Sequence, residues 1–292
     1  MSRQTRHPRH ANLIGVRLIQ DLVQTVVVSH RIAGRDRTGL LLLAEPESGK
    51  TTIACSAKAS HVAPIAMISG VSILEKMKDK RLEFLLFNDL AAIRALSHNA
   101  QSLLIVILNQ VVQGELGEVH LAGRMKYQVD RILGIIGCMP FNVFTDRRAH
   151  WKQLGFISRM IPFAYRYDDQ IVATIKDTVE TLPASMTNTH GPRTPRTKID
   201  IVVPPNIVRS IRVCSDARAN KLDQRGIRLL KHYHVLIRAH ALLHGRTTVN
   251  DDDLAFLYAV DSYVSVTQCQ PLGPTNKTSL YVPRERARKA RG

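Results

Sequence analysis

The chain has 292 residues, 45% of them hydrophobic, which suits one large or two smaller globular domains with a proper core. Lys and Arg number 41 against 24 acids, a formal +17, and that excess favours polyanionic partners, most simply nucleic acid. The totals argue against a membrane span, because apolar runs such as 103–108 are far shorter than ~20 residues, and aromatics at 5% do not advertise a base-stacking platform.

Charge gathers at the ends. Arg3, Arg6, Arg9 and Arg17 lie at the front, and Arg284, Arg286, Arg288, Lys289 and Arg291 at the back. Residues 1–12 and 267–292 therefore read as basic tails. The first ten residues lack the apolar stretch of a secretion signal. Cys55, Cys138, Cys214 and Cys269 lie far apart with no C-x-x-C pair, as expected of reduced thiols in a cytoplasmic protein.

In chain order, Leu13 to His30 is amphipathic, with Ile14, Val16, Leu18, Ile19, Leu22 and Val26 on its candidate buried side. Leu40–Leu43 are too few for a globular helix and are bounded by Gly39 and Pro46, which suits a strand buried on both faces. Ala44-Glu45-Pro46-Glu47-Ser48-Gly49-Lys50-Thr51-Thr52 follows, and then an Ala/Cys-rich segment suited to a helix. Strand, small-residue loop, Gly-Lys-Thr and helix are the ordered parts of a phosphate-binding P-loop. Backbone N–H groups at a helix N-terminus point at phosphate oxygens. Gly49 permits close approach, Lys50 reaches the β- and γ-phosphates of ATP, and the Thr51 hydroxyl ligates Mg²⁺. Ala44 stands where the motif has its first glycine, and alanine lacks glycine's freedom at positive φ.

Further strands are expected over His61 to Ile68 and Leu82 to Phe87, then helix-like patterns over Asp89 to His98 and Ser102 to Val112, the latter capped by Ser102 and ended by Gly114. Ile132 to Gly137 is another apolar run. This alternation predicts a three-layer αβα domain over 13–186. The stretch F-L-L-F-N-D ends in Asp89, the only acid there, and a strand next to the P-loop ending in a carboxylate is the Walker B arrangement for Mg²⁺. Pro, Gly and Thr mark 187–205 as a linker. Helices over Arg225 to Gly245, and from Val249 with Asn250 as N-cap, predict a small helical domain over 206–266. His232, His234, His240 and His244 lack acids at metal-ligand spacing, so satisfied or surface histidines are expected. Trp151 beside Arg147, Arg148 and His150 reads either as a DNA-facing or inter-subunit surface or as a packed tryptophan.

Four stretches together resemble the AAA+ ATPases, specifically the minichromosome-maintenance (MCM) branch with its MoxR-type and magnesium-chelatase relatives. They are A-E-P-E-S-G-K-T, F-L-L-F-N-D, G-F-I-S-R-M-I-P-F-A-Y-R-Y-D-D at 155–169, and R-L-L-K-H-Y-H-V-L-I-R-A-H-A-L-L-H-G-R-T-T-V-N-D-D-D-L at 228–254. The resemblance covers roughly residues 35–260. It implies a P-loop NTPase core with a helical lid, ATP and Mg²⁺ bound between protomers of a homo-oligomeric ring (a hexamer in the family), and action on DNA; a partner protein is separately expected to supply targeting. It implies that Arg159 is an arginine finger toward a neighbouring subunit and Arg228 a sensor-2 arginine at the γ-phosphate, with Arg225 the fallback. The family's Walker B strand ends Asp-Glu, whereas here it ends Asn88-Asp89, with Glu115 the nearest other candidate base. Asn142 is the amide closest to the sensor-1 place. Slow hydrolysis, as in a nucleotide-dependent assembly switch or MoxR-like chaperone, is the alternative.

Overall fold

A computed structural model describes residues 16–34, 37–55, 59–65, 69–114, 118–121, 125–128, 131–174, 195 and 197–272, with 118–121 and 125–128 described by backbone alone. Ile14, Glu115, the arginines of both ends apart from Arg17, and most of 187–196 lie outside these residues.

Leu40–Leu43 become the centre of the sheet. Strand β1 (Gly39–Ala44) is buried at every position, because parallel neighbours flank it and helices cover it. After it come β2 (Val62–Ile65), β3 (Phe84–Phe87), an antiparallel hairpin of β4 (Glu118–Leu121) and β5 (Met125–Gln128), then β6 (Gly134–Pro140), β7 (Met160–Tyr167) and β8 (Gln270–Leu272). The fold is α/β, with one six-stranded sheet in the order β2-β3-β6-β1-β7-β8, and each pairing within it is parallel. Pro64 lies on the edge strand β2, where a missing N–H leaves no ladder partner unpaired.

The crossovers set the layers. From β1 the chain steps across to the edge strand β2, then returns through β3 and β6 and passes β1 to reach β7. Right-handed crossovers in opposite directions put their helices on opposite faces. Helix α2 (Lys50–Cys55) follows β1 and packs against α1 (Arg17–Val28) on one face. Helices α3 (Gly70–Met77), α4 (His98–Gln113) and α5 (Phe141–Gln153) carry the return path, and α4 and α5 join through Asn109 Nδ2 donating to Leu154 O at 2.7 Å. The arrangement is compatible with a three-layer αβα fold.

Helices α6 (Pro205–Leu222), α7 (Ile227–Leu243) and α8 (Asp251–Asp261) pack on one another, and α7 packs on α1. One buried apolar cluster runs from the sheet through α1 into all three. Asn250 caps α8 as expected, in a reciprocal box with Asp253. Gly114 ends α4 in the left-handed conformation.

Several expectations change. Helix α4 begins a turn earlier than expected and is capped by Ser97; Ser102 lies inside it, its hydroxyl bonded to His150 Nε2 at 3.3 Å. Asp89 to His98 forms a 3₁₀ turn (Leu90–Ala95) and not an α-helix. Residues 270–272, assigned above to the tail, form the sixth strand. Ile199 and Val202, assigned to the linker, bridge to Ile32 and Thr248. Trp151 is 1% exposed, boxed by Phe144 and Phe156 at 6.3 and 5.3 Å, so it is a packed core residue.

Candidate functional site

The loop after β1 is the best-built feature at the carboxyl edge of the sheet. Strands β1 and β6 are neighbours whose following helices leave to opposite faces, and such a switch point opens the crevice where parallel sheets bind ligands. The loop 45–49 lies there, opposite the end of β6, with Ala44 paired to Pro140.

Positive φ falls at Glu47 (61°) and Gly49 (71°). Ala44 is not among the positive-φ residues: it ends β1 as an ordinary strand residue, fully buried, so the alanine carries no strain. Glu45, Pro46 and Glu47 are exposed, Ser48 is buried, and Lys50 is 9% exposed. The Lys50 ammonium turns back into the loop, donating to Ala44 O at 3.2 Å, to Ser48 Oγ at 3.0 Å, and to Glu45 O. Burial lowers its pKa below the ordinary lysine value, while Cys138, Cys269, Asp89 and Glu45 pull the other way. A lysine ammonium held by the carbonyls and hydroxyl of a tight loop at a helix start suits a phosphate group.

The carboxylate side is set by β3. The sequence reading puts β3 next to β1; the structure puts β6 between them, because the chain reaches β3 and β6 from the far edge before returning to the middle. The end of β3 still meets α2: the Thr51 hydroxyl donates to Asn88 O at 3.3 Å, and Cys55 Sγ lies 3.7 Å from Asn88 Oδ1. Asp89 is exposed and caps the 3₁₀ turn, its Oδ1 accepting from Ala91 N at 2.9 Å. Its second oxygen accepts no hydrogen bond among the described residues. A hydroxyl and a solvent-facing carboxylate at one edge suit Mg²⁺, which takes few protein ligands and keeps its waters. Thr52 is exposed on the next residue of α2. Asn142 is exposed at the start of α5, its Oδ1 accepting from Val143 N.

The two arginines do not join this group. Met160 pairs with Gly39 at the beginning of β1, so Arg159 lies at the amino edge of the sheet, roughly 16 Å from the loop by strand rise. Its guanidinium bonds Gln113 Oε1 at 2.9 and 2.6 Å and Gly155 O at 2.6 Å. Arg228 Nη1 donates to Ser158 Oγ at 2.7 Å, which puts it beside Arg159 and away from Lys50. The fallback Arg225 lines a surface cavity of about 410 Å³ with Arg212, Asp216 and His234, again in the helical region.

The histidine expectation holds for His240: its Nδ1 meets Asp253 Oδ1 at 2.6 Å. Burial alone would raise the Asp253 carboxyl, but hydrogen bonds from His240, Arg246 and the Asn250 N–H hold it below its ordinary value. Among the described residues no group of three or more His, Cys, Asp or Glu side chains is arranged to hold a metal ion. No described helix is long and apolar enough to cross a membrane.

Sequence reasoning missed two residues at the loop. Tyr165 Oη donates to Ser48 O at 3.1 Å, and Tyr167 Oη stands 3.2 Å from where a Gly49 Cβ would be. The signal was the alternation A-Y-R-Y at the end of β7, which puts two aromatics on one face. A scan of protein-family models and a search of curated proteins found no match to the chain.

Proposed function

We propose that the protein is an ATP- and Mg²⁺-binding P-loop ATPase of the AAA+ type, similar to the MCM-like branch, acting on DNA as a ring-forming homo-oligomer. The observation that carries this is the Gly49–Lys50 loop at the switch crevice, with Thr51 against the end of β3. Lys50 and the backbone N–H groups of Glu45 and of Glu47 to Thr52 would hold the phosphates, with Pro46 contributing no donor, and Thr51 and Asp89 the metal. Bound ATP supplies the transferable phosphoryl group. Lys50 would neutralise its charge, Thr51 would hold the metal, and the loop would keep its N–H groups fixed.

The distance between Lys50 and the pair Arg159–Arg228 supports an inter-subunit site, because neither arginine reaches its own loop from the other edge of the sheet. A neighbouring copy would present them. For DNA, the formal +17 supplies attraction. The hairpin β4–β5 pairs His120 with Lys126, and a two-stranded ribbon is a shape that grooves admit. Targeting is left to a partner protein.

One observation favours a second reading, a nucleotide-dependent assembly switch with little turnover. Asp89 is already engaged as a cap, and the residue before it is Asn88, so the edge offers one carboxylate where fast hydrolysis uses two. Steady-state ATP hydrolysis with and without DNA, for wild type, Lys50→Ala and Arg159→Ala, separates the readings. The motor reading expects DNA-stimulated turnover that both variants lower at least about a hundredfold. Wild type that binds ATP yet turns over no faster than Lys50→Ala leaves only the switch.

A further inference from the structure

Strand β7 runs past the end of β1. Their pairing closes at Leu43 with Ala164, β1 stops at Ala44, and β7 continues to Tyr167, so Tyr165 and Tyr167 stand beside the loop. Strand β8 holds this overhang extended, pairing Tyr165 with Gln270, Arg166 with Pro271 and Tyr167 with Leu272. The Tyr263 hydroxyl donates to Pro271 O at 3.3 Å, and its ring stacks on Phe163 at 5.0 Å, which ties the end of α8 to the same overhang. The Tyr165 and Tyr167 rings meet edge to face, with centroids 6.0 Å apart.

The two hydroxyls act on consecutive residues of the loop. Tyr165 is fully buried and donates a hydrogen bond to the Ser48 carbonyl. In a planar trans peptide the Ser48 C=O and the Gly49 N–H point in opposite directions. Drawing the carbonyl toward Tyr165 therefore turns the Gly49 N–H away from β7 and fixes its direction, and a fixed N–H is what an anion-binding loop needs. Tyr167 occupies the side of Gly49 where a Cβ would stand, which closes the loop against β7. Burial pushes the Tyr167 phenol to about 12 and the Tyr165 phenol well above its ordinary value, so both remain neutral donors near neutral pH.

We propose that Tyr165 and Tyr167 are positioning residues for a nucleoside triphosphate on the loop, Tyr165 by orienting the Ser48–Gly49 peptide and Tyr167 by walling off Gly49. This rests on the reading of the loop as a nucleotide-phosphate site. It also makes β8 part of that site, since β8 fixes the strand end from which both tyrosines project.

The test is titration of the full chain with a fluorescent, non-hydrolysable ATP analogue and Mg²⁺, alongside thermal melting without nucleotide. The variants are Tyr165→Phe, Tyr167→Phe, Lys50→Ala and, as a control, Tyr233→Phe, which loses a buried hydroxyl contact with Asp261 on α8 and touches no residue of the loop through that hydroxyl. Tyr165→Phe is expected to weaken binding about tenfold, the worth of one buried hydrogen bond, and Tyr167→Phe about threefold. Tyr233→Phe is expected to melt lower with unchanged affinity. The proposal falls if Tyr165→Phe binds as wild type does, or if Tyr233→Phe weakens binding equally, since that would make the effect one of general stability. The loop reading itself falls, and this proposal with it, if wild type does not bind or Lys50→Ala binds as tightly.

Discussion

At the residue scale, the loop shows that a motif position and a backbone requirement are different things. The motif's first glycine is Ala44, yet positive φ is needed at Glu47 and Gly49. Ala44→Gly is therefore expected to leave nucleotide affinity unchanged and to cost about 0.5–1 kcal/mol of stability, because it adds backbone freedom to a buried strand residue. Gly49→Ala faces both a left-handed φ and the Tyr167 hydroxyl, and is expected to abolish nucleotide binding while costing about 1–2 kcal/mol. Chemical denaturation with a nucleotide titration of each variant checks both; an improved affinity in Ala44→Gly would contradict the geometry. Lys50 and Thr51 were legible in the sequence because the chemistry of Gly-Lys-Thr is local. Tyr165 was not, because its partner Ser48 is 117 residues away in the chain.

At the element scale, the amino edge of the sheet carries a buried imidazole pair. His30, at the end of the first helical segment, and His61, just before β2, have ring centroids 4.2 Å apart. His30 Nδ1 meets Val27 O at 2.6 Å, so that nitrogen carries the proton, and the Phe84 ring stands edge-on to the imidazole. Burial lowers His30 to about 3; the Val27 hydrogen bond opposes this, and His61, Arg31 and Arg37 add to it. Burial also lowers His61, with Arg31 adding to the shift and Glu83 opposing it. Both folded values lie below the unfolded value of 6.5, so above pH 6.5 both states are neutral and stability is at its full value. As pH falls below 6.5 the unfolded chain takes up protons that the folded chain refuses, and stability drops by about 1.4 kcal/mol per pH unit for each such proton. Denaturant unfolding between pH 7 and 5 is expected to show this slope, and His30→Phe, which keeps an aromatic ring there, to flatten it. An unchanged slope in the variant would remove His30 as the cause. Amphipathic spacing made α1 and α7 readable as elements, but nothing in it placed His30 against His61.

At the scale of the whole molecule, the proposed action on DNA rests on long-range charge, and charge responds to salt. If about six phosphates are contacted, binding to a short duplex is expected to fall about a thousandfold between 50 and 200 mM salt. Fluorescence anisotropy at several salt concentrations measures this, and a flat response would set the DNA reading aside. The sequence by itself determined the local grammar: a four-leucine strand, a tight Gly-Lys-Thr turn into a helix, a glycine ending α4, an asparagine opening α8. Each depends on neighbours within a few residues, where periodicity and capping chemistry act. The tertiary structure decided what stands beside what. It put β6 between β1, which leads into the Gly49–Lys50 loop, and β3, which leads to Asp89, brought residues 270–272 back as a sixth strand, buried Trp151, and carried Arg159 and Arg228 to the edge away from Lys50. The physical reason is that the lateral order of a parallel sheet is fixed by the direction and handedness of its crossovers and by the closing of one core, and neither is written in any single stretch of chain.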